Sequence, residues 1–175
     1  MLAEYKIYDI PSGAGQRSIA DMIENDIVDQ IVEKGGIRPK SVRTIEDVSL
    51  NDVLIDVKTR DLSREFSMPN LISVDRLKKN KDKEIAYFFV DYIINPVDRM
   101  SVQPVNMEYR LIESITWDHL KIQNLGLGQL QLSNYKDGIS KFKGTRDEWF
   151  DELENQMSAF YTKQIAKFEK LRSML

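Results

Sequence analysis

The chain has no cysteine and a single histidine among its 175 residues. Disulfide bonds and thiolate metal sites are therefore excluded. The one histidine, His119, cannot build a multi-histidine metal site, and its neighbours supply no nucleophile for a Ser-His-Asp arrangement, so we interpret it as structural. The glycines form neither a phosphate loop with a following Lys-Ser/Thr nor a dinucleotide-binding fingerprint, which leaves nucleotide-dependent chemistry without support.

The sequence also lacks long apolar runs and an excess of positive charge. No run approaches the roughly 18 residues that span a bilayer, and the N-terminus has no signal-peptide pattern. We therefore expect no membrane association and a cytoplasmic location. The net charge of −3 argues mildly against nonspecific nucleic-acid binding, but a globally acidic chain with one basic cleft suits a site-selective DNA enzyme. The basic clusters are Arg38, Lys40 and Arg43; Lys58, Arg60 and Arg64; residues 76–83; and Lys141, Lys143 and Arg146.

The size and composition favour one domain over residues 1–175, with helices near both ends. An isoleucine stripe at i, i+4 spacing predicts a helix from Ser18 to about Lys34, stopped by Gly35-Gly36. Thr145 and Glu148 have capping-box spacing and open a long final helix to about Leu171. Between them the pattern predicts a short helix over 70–77, a central strand over 85–94, further strands over 105–115 and 130–134, and a turn or short helix over 117–120.

A short hairpin organises the candidate site. Residues 48–50 and 53–57 alternate as strands, and Asn51-Asp52 between them favours a tight turn. In an extended strand residues two apart share a face, so Asp56 and Lys58 project together while Val57 points into the core.

The hairpin also returns Asp47, at the start of the first strand, beside Asp56. Two carboxylates and a lysine then converge at one end of a sheet, which suits Mg²⁺ binding and activation of water against a phosphodiester. The competing interpretation is a solvated strand edge, since Asp-x-Lys is a short motif that occurs by chance. Glu24, on the first helix, is either a surface residue or an auxiliary ligand of this cluster.

Two separated segments resemble one enzyme family. The run Leu54-Ile-Asp-Val-Lys-Thr-Arg-Asp, followed by Pro69-Asn-Leu-Ile-Ser73, resembles Leu-Asp-Val-Lys-Thr-Arg-Asn with Pro-Asn-Ile-Ile-Ser at the same distance. Phe142-Lys-Gly-Thr-Arg-Asp-Glu-Trp149 resembles Phe-Asn-Gly-Thr-Arg-Glu-Glu-Trp. Both patterns belong to type II restriction endonucleases of the HincII/HindII kind, in the PD-(D/E)xK nuclease superfamily.

The resemblance implies an α/β (α+β) fold of the PD-(D/E)xK restriction-endonuclease type, with a central mixed sheet flanked by helices. It implies a homodimer that makes Mg²⁺-dependent double-strand breaks in palindromic duplex DNA, with Mn²⁺ as a substitute ion. By motif position, Asp47, Asp56 and the Val57 carbonyl would ligate the ion. Lys58 would orient or activate the attacking water and stabilise the pentavalent phosphate, with Glu24 assisting.

The same resemblance places DNA contacts. Asn70 falls on an asparagine of a DNA-facing loop, and an amide suits bidentate contact with adenine. Where the family has a glutamine that wedges between bases, this chain has Ser67, so either Phe66 or Met68 could intercalate instead. The other candidates are Arg60, Arg64, Gln131, Ser133, Asn134 and Lys136.

Several alternatives stay open. The hairpin is about four residues shorter than in the family, so the first carboxylate is Asp47 by preference, with Glu46 or Asp52 as alternatives. The function is either that of a restriction endonuclease, with a DNA methyltransferase implied genetically, or that of a monomeric nicking or repair nuclease. A non-enzymatic DNA-binding module ranks last.

Overall fold

A computed structural model describes residues 3–4, 6–41, 45–63, 69–97, 99–123, 128–133 and 138–174. Packing divides the chain into two compact units. The first comprises Met1–Pro69 and Lys79–Ile112, and the second comprises Asn70–Lys78 and Glu113–Leu175. The single domain expected over 1–175 stays a prediction. Among the described residues, no helix is both long enough and apolar enough to cross a bilayer.

The described ranges contain eight strands and three α-helices. In chain order they are β1 (Tyr8–Asp9), α1 (Gln16–Glu33), β2 (Val48–Leu50), β3 (Val53–Asp61), β4 (Asn70–Ser73), α2 (Val74–Lys79), β5 (Glu84–Ile94), β6 (Ser101–Leu111), β7 (Leu120–Gln123), β8 (Gln129–Leu132) and α3 (Arg146–Arg172), with short 3-10 helices at Ile112–Ser114 and Trp117–His119.

The first unit is built on a curled mixed sheet with the order β1-β6-β5-β3-β2. β3 and β5 run parallel, and the other neighbouring pairs are antiparallel. The apolar run predicted as a central strand is β5, between β3 and β6, which confirms that prediction. Strands buried on both faces read as continuous apolar runs, and this explains why the pattern of β5 was so clear.

Helix α1 covers one face of this sheet. The predicted stripe is buried at each of its four positions, Ile19, Ile23, Ile27 and Ile31, and it packs on residues of β2, β3, β5 and β6. The predicted start at Ser18 is wrong, because the helix begins at Gln16 after Gly15, whose missing side chain makes no cap. The predicted stop is confirmed.

The stop depends on glycine at two positions. Gly35 has a φ of +97°, a left-handed conformation in which a side chain is strained. A Cβ on Gly36 would lie 2.9 Å from side chains of Ile31 and Val48, so only glycine lets the chain pass between helix and sheet. The chain therefore turns from α1 directly towards β2.

The hairpin between β2 and β3 turns where the sequence predicted. Asn51 and Asp52 have φ values of +50° and +65°, as a two-residue hairpin turn with left-handed central residues requires. Val48 pairs with Ile55, and Leu50 with Val53. The second strand is longer than predicted, because β3 continues from Val57 to Asp61 alongside β5.

The second unit has a smaller antiparallel sheet, ordered β4-β8-β7, against which α3 lies. Trp149 and Leu153 of α3 are buried, and the Trp149 Nε1–H donates to the Ile115 carbonyl at 2.9 Å. The predicted capping box is confirmed, since the Thr145 hydroxyl accepts from the Glu148 N–H while the Glu148 carboxylate accepts from the Thr145 N–H.

The remaining differences from the predictions are local. Residues 70–77 are not one helix, because β4 occupies 70–73 and pairs with β8 before α2 begins. The strand expected over 105–115 begins earlier, at Ser101, and gives way to a 3-10 helix after Leu111. The strand β7 was not predicted, since its four residues carry too little pattern.

Candidate active site

The candidate site lies where β3 extends beyond β2. On β3, β2 pairs with Val53–Ile55, and the Asp47 N–H adds one more bond, to the Ile55 carbonyl at 2.9 Å. From Asp56 onwards, β3 keeps β5 as its neighbour on one side. Within the described ranges no strand pairs with that stretch on the other side. The backbone edge is therefore open at the residues that carry the Asp-x-Lys motif.

Asp47 crosses to this open edge. Its Oδ2 accepts from the Val57 N–H at 2.8 Å, which satisfies the first backbone donor beyond the paired segment. In antiparallel pairing the N–H and C=O of one residue point towards the same neighbour. The Val57 carbonyl therefore points to the same edge as the Asp47 carboxylate, as the metal-ligand prediction requires.

Asp56 and Lys58 form an ion pair on one face of β3. The Asp56 Oδ2 lies 2.6 Å from the Lys58 Nζ, and the two side chains are 12% and 26% exposed. Burial raises the pKa of Asp56 to about 7, since the nearby Lys58 only partly offsets it and the Asp47 carboxylate, in hydrogen-bond contact, raises the pKa further. The Asp56 carboxyl is therefore harder to ionise than an ordinary aspartate.

Glu24 reaches the same place from α1. Its Oε1 accepts a hydrogen bond from the Thr59 Oγ1 at 3.0 Å. Burial raises the pKa of Glu24; the Thr59 hydrogen bond and Lys58 lower it, and the charge of Asp47 raises it. Glu24 thus lies within electrostatic reach of both Lys58 and Asp47.

Thr59 was missed by the sequence interpretation, although a signal was present. It lies two residues beyond Val57 and so shares the face of β3 that was expected to point inwards. Its hydroxyl fixes the Glu24 carboxylate against the strand, which makes Thr59 a positioning residue of the site.

Glu24, Asp47 and Asp56 line a cleft of about 460 Å³ in the first unit. Exposed Arg38 and Lys40 contribute positive charge to its lining. Asp52, one alternative for the first carboxylate, instead lines a separate cavity at the turn, whereas Glu46 does line the cleft. The residues of the cleft are Asp21, Glu24, Asn25, Val28, Arg38, Pro39, Lys40, Ser41, Ile45, Glu46, Asp47 and Asp56.

The donor set suits a hard divalent cation held by few protein ligands. In the part of the chain that the structure describes, no three His, Cys, Asp or Glu side chains are grouped as a metal cage. Asp47 and Asp56 offer two carboxylates, and the Val57 carbonyl offers a third oxygen. Mg²⁺ is usually bound through one or two carboxylates while it keeps several waters. A divalent cation would offset the repulsion between the Asp47 and Asp56 carboxylates, so the donor set fits Mg²⁺.

The candidate DNA contacts are scattered. The Arg60 guanidinium is bonded through Nε and Nη2 to both oxygens of Asp91, each at 2.7 Å, and Asn106 donates to the same carboxylate. Asn70 is exposed, and its Oδ1 accepts from the Gln131 Nε2 at 3.2 Å between β4 and β8. Ser133 is buried. The candidates Arg64, Phe66, Ser67, Met68, Asn134 and Lys136 lie outside the described residues.

Comparison with known proteins gives a fold. No family model matches the chain, and no curated protein matches it. Among solved structures it is similar to one described as the NlaIV restriction endonuclease, with a TM-score of 0.53 and 11% identity over 75% of this chain and 61% of that chain. The chain therefore spans about three fifths of that endonuclease. The similarity confirms the expected restriction-endonuclease-like fold, with its mixed sheet and long C-terminal helix.

Proposed function

We propose that the protein is a Mg²⁺-dependent endonuclease that cuts duplex DNA. The observation that carries the proposal is the convergence of Asp47, Asp56 and Lys58 at the open edge of β3, where the two aspartates line a cleft. The fold around them resembles that of a restriction endonuclease. A resemblance of fold would by itself be weak support for a function, as a short motif match would be. The geometry adds the two acids and the amine that phosphodiester hydrolysis needs.

Each residue has a distinct task in this proposal. Asp47, Asp56 and the Val57 carbonyl would hold the ion. When bound, Mg²⁺ supplies charge that stabilises the transferring phosphate and lowers the pKa of coordinated water. The Lys58 ammonium, already anchored on Asp56, holds a water or a phosphate oxygen beside the ion site. Glu24, fixed by Thr59, holds a second water and accepts its proton.

The finer assignment also belongs to the proposal. The motif matches support a type II enzyme of the HincII/HindII kind, acting as a homodimer on a short palindrome within a restriction-modification system. The electrostatics of the cleft support a DNA substrate only with the ion present, because five carboxylates line it and a phosphate backbone would otherwise be repelled. DNA binding should therefore depend on the divalent ion.

The deciding experiment is plasmid cleavage by the purified protein with and without Mg²⁺. We expect discrete linear fragments with Mg²⁺ and none with chelator, and sequencing of the ends identifies the site. Lys58→Ala should slow cleavage by about 10²–10³-fold while Ca²⁺-supported DNA binding persists. Lys6→Ala is the matched control, since Lys6 pairs with Asp26 elsewhere in the same unit.

The outcomes separate the readings. Nicks without linear product would favour the monomeric nicking nuclease. DNA binding with no cleavage by any ion would leave a binding module. Cleavage equally rapid in Lys58→Ala and wild type would remove the assignment of the site.

A further inference from the structure

The second half of α3 carries large apolar side chains in water. Trp149 and Leu153 in its first half are buried, but Tyr161 is 36% exposed, Ile165 58% and Phe168 66%. Single exposed apolar residues are ordinary, whereas several on one helix mark an interaction surface.

The second half of the helix is exposed on most sides, and Leu171, 51% exposed, lies beside the line described next. Three of its exposed apolar residues, Tyr161, Ile165 and Phe168, fall on one line along the helix. Glu154, Ser158, Tyr161, Ile165, Phe168 and Arg172 are separated by four, three, four, three and four residues, and all six are exposed. This alternation is the spacing by which one helix meets another in a two-stranded coiled coil. We call these six residues the α3 line; at about 1.5 Å per residue it is about 27 Å long.

The charges of the α3 line choose its orientation. Glu154 lies at one end and Arg172 at the other, with apolar residues between. If two copies pair antiparallel, Glu154 faces the partner's Arg172, Ser158 faces the partner's Phe168, and Tyr161 faces the partner's Ile165. A parallel pair would instead place like charges opposite each other. Glu154 also contacts Lys78 at 2.8 Å, yet 59% of its side chain stays exposed for a second cation.

We propose that the α3 line is a homodimer interface, in which the second half of α3 packs antiparallel against the same segment of a second copy of this chain. The inference deepens the homodimer of the proposed function, but it rests on the line's own spacing and charge and is tested without DNA.

The first test is the mass in solution by light scattering and sedimentation at tens of micromolar, in the absence of DNA. Wild type should be dimeric, and Ile165→Glu with Phe168→Glu should weaken the dimer at least tenfold. Ala166→Glu adds a charge to the next exposed position, away from the line, and should leave the dimer intact. Because all three positions are exposed, circular dichroism should show unchanged folding.

The second test reverses the end charges. Glu154→Arg and Arg172→Glu should each weaken the dimer severalfold, because each opposes like charges across the pair. The double variant should recover wild-type affinity. If both single variants weaken the dimer and the double variant does not recover wild-type affinity, the antiparallel register is contradicted.

The third test reads orientation directly, and the absence of cysteine makes it clean. Ser158→Cys protein and Phe168→Cys protein are prepared separately, mixed and oxidised. Antiparallel packing predicts a mixed disulfide between the two variants. Ser158→Cys linked mainly to itself would indicate a parallel pair and overturn the proposal.

The dimer interface and the nuclease activity are tested independently of each other. A wild-type monomer, or a dimer insensitive to Ile165→Glu and Phe168→Glu, overturns the interface even if the protein cuts DNA. A monomer that cosediments with anionic lipid vesicles would assign the line to a lipid surface and overturn it equally. A dimer that never cleaves DNA would support the interface while the nuclease assignment fails.

Discussion

Two aspartates of the first unit, each paired with a lysine, behave in opposite ways. Asp26 on α1 is contacted by Lys6, by the Tyr8 hydroxyl at 2.9 Å and by Gln30 at 2.7 Å. Burial raises its pKa, but these hydrogen bonds outweigh burial and the net pKa is lowered. Asp56 has Lys58, yet deeper burial and a second carboxylate raise its pKa to about 7.

The difference separates an acid with a structural role, Asp26, from the acid that we propose as a metal ligand, Asp56. Asp26 is satisfied by donors from β1 and α1, so its charge ties the start of the chain to the helix. For Asp56, the ion pair with Lys58 does not offset burial and the neighbouring Asp47 carboxylate. Acids whose pKa is shifted in this way concentrate at functional sites. An ion pair alone is therefore a poor guide to function, and the direction of the pKa shift is a better one.

The largest expected loss of stability comes from removing the partner of a third buried carboxylate, Asp91. Asp91 is buried under Arg60, and Arg60→Ala would leave that charge unpaired. We expect a loss of about 3–5 kcal/mol in the free energy of unfolding, measured with urea. Arg38→Ala, which breaks the exposed pair with Asp29, should cost at most about 1 kcal/mol.

That experiment also decides the role of Arg60. A variant of unchanged stability that has lost DNA affinity would show that Arg60 is the DNA contact predicted from the sequence, rather than a structural partner of Asp91.

The next effect is a gain in stability. Because the folded-state pKa of Asp56 is above its unfolded value, folding takes up a proton, and the metal-free protein loses stability as pH rises from about 4 through 7. Asp56→Asn removes that penalty. It should raise the free energy of unfolding by about 2–4 kcal/mol at pH 8 and by about a third as much at pH 5.

Thermal denaturation in chelator at the two pH values measures this effect. The variant should also lose Mg²⁺ binding by calorimetry. If Asp56→Asn were less stable than wild type at pH 8, the charged form of Asp56 would be stabilised by its neighbours, as that of Asp26 is.

A smaller effect is expected for the acid that faces the cluster from α1. Glu24→Gln still accepts the Thr59 hydrogen bond but cannot take a proton. We expect cleavage to slow by about 10–100-fold with little change in melting temperature. Glu33→Gln, an exposed position of the same helix, is the control. Equal rates for the two variants would place Glu24 with the surface residues.

The smallest effect tests the other side of the comparison. Since the folded-state pKa of Asp26 is lowered, its contribution to stability is present above pH 4 and is lost as pH falls through that lower pKa. Asp26→Asn should therefore cost about 1 kcal/mol at pH 7, measured by urea denaturation, and less in acid. This change in the free energy of unfolding is opposite in sign to that expected for Asp56→Asn. If both variants changed stability in the same direction, the two aspartates would not differ as described.

The sequence predicted those parts of the fold whose pattern is local. The isoleucine stripe of α1, the turn at Asn51-Asp52 and the capping box of α3 each depend on spacing within a few residues, and each is confirmed. The hairpin also predicted that Asp47 approaches Asp56. The catalytic and metal-binding roles of these residues stay predictions.

The remaining features depend on contacts between distant segments. The polar end of β3 gave no strand signal within its own sequence, because Arg60 is stabilised there by Asp91 of the neighbouring strand β5. Likewise, the hydrogen bond from Thr59 to Glu24 joins residues 35 positions apart. Strands as short as β1 and β7 are held by their partners rather than by their own composition.

The open edge of β3 has one more consequence. Unpaired strand edges invite added strands from other chains and so promote aggregation. Here Asp47 already occupies the Val57 N–H, and Asp56 and Lys58 put charge beside it. The side chains proposed to cut DNA would therefore also keep a foreign strand from docking, and variants that neutralise all three should be more prone to form intermolecular sheet.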